Sequence, residues 1–118
     1  MANGRAERFK IEHTARIERG KRLLSSMDFT NLDDTNYGFP MQGTVKAENR
    51  EECDQMRGAI QAFLNTTPFQ DKTDYEWSYY HRDTSVAFLN FKEAPCKELQ
   101  KLLTPELGTD IVREEWNR

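Results

Sequence analysis

Two histidines, His13 and His81, and two cysteines, Cys53 and Cys96, are the residues of this 118-residue chain best equipped for proton transfer or nucleophilic attack. Their spacing assembles nothing. The sequence holds no CxxC, HxxxH or HExxH pattern for a metal, and no glycine-rich loop with a following lysine to cradle a phosphate. A Cys–His pair would have to be built in space from distant positions, and nothing local supports one. The chain therefore reads as a non-enzyme, with no catalytic residues, no metal and no cofactor.

Side chains suited to recognition are better represented. In "TSVAFLNF" (84–91), strand geometry sends Ala87, Leu89 and Phe91 to one face and Val86 and Phe88 to the other. A domain of this size has one core, so Phe88 is expected on a second, open face. Just upstream, Tyr75, Trp77 and Tyr79 alternate with Glu76, Ser78, Tyr80 and Arg82. With the first set packed inside, Tyr80 and Arg82 lie beside Phe88. The opposite register exposes Tyr79 and His81 instead, and alternation alone leaves both open.

Charge is distributed unevenly. Residues 1–22 hold seven basic and three acidic side chains, whereas 23–118 hold ten basic and seventeen acidic ones. A net charge of -3 argues against a generally basic nucleic-acid binder, but the segment itself reads as a basic arm on an acidic body. Its candidates for contact with phosphate are Arg5, Arg8, Lys10, Arg16 and Arg19, joined from later in the chain by Lys46.

The elements that must position these groups follow from periodicity. "ERFKIEHTARIE" (7–18) alternates Phe9, Ile11, His13, Ala15 and Ile17 against polar neighbours and reads as a strand, with "KRLLSSM" as a short helix or turn. Residues 28–40 form a loop rich in Asn, Asp, Gly and Pro. "MQGTVKAE" (41–48) is a strand. Asn49 and Glu52 open a helix that runs to about Leu64 with Cys53, Met56, Ile60, Phe63 and Leu64 on one stripe. Two strands follow, joined by a turn at Arg82–Thr84, and Pro95 stands at the first position of a second helix. "TDIVREEW" (109–116) is either a closing strand or a short terminal helix.

Strand, helix, strand, strand, helix is the order of a split βαβ, ferredoxin-like α+β fold, an antiparallel sheet with its helices on one face. The whole of 1–118 is read as a single domain, with 1–39 as a basic N-terminal strand and short-helix extension before a core at 40–118. With this topology, Thr84–Phe91 resembles the second half of the third-strand signature of the RNA-recognition motif, Ala87, Phe88, Leu89 and Phe91 matching and Asn90 at the variable position. Thr84, Ser85 and Val86 depart from its basic, glycine and first aromatic positions, and "MQGTVKAE" lacks the partner aromatic. The resemblance implies that Phe88 is a platform for a base.

The expected function is binding of single-stranded nucleic acid, RNA or DNA, through Phe88, Tyr80, Arg82 and the basic segment. The alternative is a protein-binding inhibitor or adaptor, for example a phage-type antagonist of host machinery. Either suits a homodimer or higher oligomer as well as a monomer. No stretch approaches a membrane span, and two cysteines on separate helices suit free thiols. A cytoplasmic location is expected, meaning host cytoplasm for a viral product.

Overall fold

The computed structural model describes residues 2–33 and 38–103, with side chains from Glu7 onward. The order is α1 (Ala2–Ser25), β1 (Thr30–Asn31), β2 (Met41–Lys46), α2 (Arg50–Leu64), β3 (Tyr75–Tyr79), β4 (Val86–Phe91) and α3 (Glu93–Leu103). It is an α+β chain. Its four strands form one antiparallel sheet in the order β1-β2-β4-β3.

The largest correction concerns residues 7–18, which are helix rather than strand. Alternation of Phe9, Ile11, His13, Ala15 and Ile17 suggests a period of two, but Arg, Glu, Lys and Ala favour helix, and composition wins. The apolar stripe is Phe9, His13, Ile17, Gly20 and Leu24, stepping by four, four, three and four residues. Gly20 looks like a stop in the sequence and is instead a contact. A Cβ there would collide with the backbone carbonyl of Ala59, so glycine lets α1 lie directly on α2. "KRLLSSM" is the end of this same helix rather than a separate one. Ser26 Oγ donates to Leu23 O (3.2 Å), satisfying a carbonyl that the last turn leaves open, and Ser25 Oγ adds a second donor to Lys21 O (2.8 Å).

Asn49 caps α2 as its sequence signature requires. Its side chain accepts from Glu52 N–H (2.8 Å) while Glu52 Oε1 accepts from Glu48 N–H (3.0 Å). Pro95 occupies the third rather than the first position of α3, still within the turn whose N–H groups have no intrahelical partner. The region 28–40, expected as loop throughout, contributes the two-residue edge strand β1, while "TDIVREEW" lies outside the described residues.

Register decides which side chains face the helices. Phe91, Leu89 and Ala87 of β4 stand opposite Tyr75, Trp77 and Tyr79 of β3 and Met41, Gly43 and Val45 of β2. These line one face and, Tyr79 excepted, pack with Leu24 of α1, Cys53, Ile60, Phe63 and Leu64 of α2, and Cys96 and Leu99 of α3. Leu24 thus belongs to the same core as the sheet. The other face carries Gln42, Thr44 and Lys46 from β2, Val86, Phe88 and Asn90 from β4, and Glu76 and Ser78 from β3.

Candidate nucleic-acid interface

Phe88 lies on the sheet face opposite the helices, half-buried, with Thr44 and Ser78 directly across from it. Beside it, Asn90 is buried and fully engaged. Its Oδ1 accepts from Gln42 Nε2 (3.1 Å), and its Nδ2 donates to Ser78 Oγ (2.9 Å) and Glu76 O (3.3 Å). The face is therefore a polar network around one phenyl ring, with exposed Lys46 one residue pair further along, opposite Val86.

A richer constellation lies around the edge strand. Along α2, Arg50, Asp54, Arg57 and Gln61 are spaced by four, three and four residues and so form one row. That row runs beside the inward-facing side chains of β3. Gln61 holds the strand's start: its Nε2 donates to Tyr75 Oη (2.8 Å), and its Oε1 accepts from Trp77 Nε1–H (2.8 Å). One turn back, the Arg57 guanidinium lies 5.5 Å from the Trp77 ring centroid and 5.0 Å from that of Tyr79, within cation–π range of both. Its Nε is buried without a hydrogen-bond partner. Beyond the end of β3, Arg50, Asp54, Arg57, Tyr79, Tyr80, His81 and Thr84 line a cleft of about 400 Å³.

The aromatic rings at this end are open to solvent. Tyr79 is 54% and Tyr80 42% exposed, and Tyr80 lies 5.8 Å from the His81 ring. Tyr80 N–H extends the ladder to Val86 O (3.3 Å), and the turn beyond is tied by Asp83, whose Oδ1 accepts from Ser85 N–H (3.0 Å) and Ser85 Oγ (2.6 Å). These two hydrogen bonds from Ser85 hold the Asp83 carboxyl below its usual range. Arg50 and Asp54 form only a long, exposed ion pair (3.8 Å), so little binds Arg50 in place.

The structure gathers some of the expected residues and separates others. Phe88, Lys46, Tyr80 and Arg82 all lie at the hairpin end of the sheet. Arg16 and Arg19 lie in the helical layer, where they line a second cleft with Glu12, Ala15, Gln55 and Ala59. As α1 is helical, Arg8, Arg16 and Arg19 share one side of it and Lys10 lies on the opposite one, whereas a strand would have put Arg8, Lys10 and Arg16 together; the side chain of Arg5 lies outside those described. Arg57 and Arg50 were not among the sequence-derived site residues, and Tyr79 entered only as the residue exposed by the opposite register. The spacing of Arg50, Asp54, Arg57 and Gln61 and the strand at Tyr75–Tyr79 are both local to the sequence, but their meeting is not.

Both cysteines are core residues. Burial raises the Cys96 thiol to about 11, and burial, with the Asp54 carboxylate next, raises that of Cys53. This is opposite to the depression that activates a nucleophilic thiol. The raised Cys96 value makes stability pH-dependent. The folded chain keeps a proton that the unfolded chain releases near 9, so the contribution is complete below pH 9 and is lost as pH rises towards 11. Urea melts across that window should show falling stability, and Cys96→Ala should flatten the slope.

Comparison with protein-family models, with curated proteins and with solved structures finds no match for this chain.

Proposed function

We propose that this chain is a small non-enzymatic protein that binds single-stranded nucleic acid at the hairpin end of its sheet. One observation carries the reading: two solvent-exposed tyrosines, Tyr79 and Tyr80, flank a cleft that also holds Arg57 and Arg50. Bases stack on the tyrosine rings, each stack contributing about 1–3 kcal/mol, and the guanidiniums meet the phosphates between them. Trp77, oriented by Gln61, backs Arg57 from behind. Phe88, Lys46 and Arg82 extend the same surface around the edge strand.

The strand order supports a ferredoxin-like reading of the fold. Strand β4 lies between β2 and β3, the two strands that α2 connects, and β1 takes the outer position beside β2. The likeness of Thr84–Phe91 to the RNA-recognition motif agrees with that reading, although the aromatic surface has moved from Phe88 with Tyr80 towards Tyr79 with Tyr80. A protein-binding role for α1 is the second reading, favoured by the exposure of Phe9 (68%) and Ile11 (67%).

Fluorescence anisotropy with single-stranded and duplex oligonucleotides at two salt concentrations tests the proposal. Single strands should bind more tightly. Arg50→Gln and Arg57→Gln should each flatten the plot of log affinity against log salt by about 0.7, one phosphate contact apiece. Arg8, Lys10 and Arg16 replaced together by Gln should leave the slope unchanged, because no residue of α1 lines the cleft. A slope that responds only to the α1 replacements would move the site to that helix.

A further inference from the structure

We propose that the first turns of α1 form an arm that packs on the acidic body of a second copy of this chain. The helix has 24 residues, about 36 Å at 1.5 Å per residue, yet only its C-terminal part is seated. Ile17, Gly20, Leu23 and Leu24 meet the body, and Arg16 lies against Gly58. Every residue from Glu7 to Arg16 is exposed.

The seated stripe does not stop where the body does. It continues outward as His13 and Phe9, whose rings stack in parallel with centroids 5.9 Å apart, with Phe9 68% exposed. Among the described residues nothing covers them. Helical order in water comes mostly from packing an apolar face, so an arm carrying such a stripe calls for a surface to lie on.

Charge selects the occupant. The unseated stretch, residues 1–16, has four basic side chains to two acidic, and residues 23–118 have seventeen acidic to ten basic. Lys10 and Arg16 flank the Phe9–His13 stripe on its two sides, so two arms laid on each other would bring like charges together. The acidic body of a second copy supplies the opposite sign. Reciprocal exchange of arms about a two-fold axis then satisfies both copies with one contact used twice. Opposite net charges within one chain, held on an arm that reaches past its own body, make that contact intermolecular.

Light scattering after size exclusion, on the full chain, reads the outcome as mass. The wild type should run at twice the 13.9 kDa chain mass at about 0.05 M salt, with dimer affinity falling at least about tenfold at about 0.5 M as screening tightens. Phe9→Glu should be monomeric and melt like the wild type diluted to its monomer, since Phe9 touches nothing in its own core, and Tyr79→Ala should remain dimeric. A monomeric wild type at low salt overturns the proposal, as does a dimer that Phe9→Glu leaves intact. A monomer whose Phe9→Glu variant loses oligonucleotide binding overturns it in favour of a nucleic-acid contact on α1.

Discussion

Phe91→Ala should cost about 3–5 kcal/mol of stability in urea melts, whereas Phe88→Ala, three residues earlier, should stay within about 1 kcal/mol of wild type. Phe91 is fully buried and sits at the centre of an aromatic cluster, with edge-on contacts to Phe29 (5.9 Å) and Phe69 (5.7 Å) and a tilted one to Tyr75 (5.3 Å). It pairs with Met41 on one side and Tyr75 on the other, so truncation opens a cavity that no single neighbour can fill. Phe88 projects from the other sheet face, half-buried between Thr44 and Ser78. Equal losses in the two variants would mean that Phe88 is core and that the outer face is covered.

Gly20→Leu should be the next most damaging change, by about 3 kcal/mol or more, the upper end for overpacking. Even a single Cβ at this position would overlap the Ala59 carbonyl, and the overlapped atoms are backbone, which cannot rotate away. The helices must separate, and Leu24, almost completely buried in the shared core, is levered out with them. The helix propensity gained by replacing glycine, roughly 1 kcal/mol, is too small to compensate. Thermal melts followed by circular dichroism check this. An unchanged or raised melting temperature would show that α1 does not rest on α2 through Gly20.

How much of this was legible in the sequence differed from element to element. Helix α2 announced itself through Asn49, Glu52 and a clean apolar stripe, because caps and periodicity are local signals. Strands β2 and β3 were visible from alternation for the same reason. Helix α1 was misread because its alternation is local whereas its stripe needs Gly20 as a continuous member, and that glycine is explained only by the approach of Ala59, thirty-nine positions later. The candidate site divides along the same line. Phe88, Tyr80, Arg82 and Lys46 could be named from strand patterns, but their register against one another could not. Arg57 gains its meaning from Trp77 and Tyr79, which meet it only after α2 has crossed back over the sheet.

The central claim is that Tyr79 and Tyr80, beside Arg57, form the surface on which a single strand stacks. The most direct measurement is an anisotropy titration of one labelled single-stranded oligonucleotide with the wild type, Tyr79→Ala and Tyr80→Ala, with melting temperatures taken on the same samples. Tyr79 is more than half exposed and Tyr80 nearly so, so both variants should melt close to wild type. Each should bind about 5- to 150-fold more weakly, the equivalent of one lost stack of about 1–3 kcal/mol. Wild-type affinity in both variants, or no binding by the wild type itself at low salt, would contradict the account.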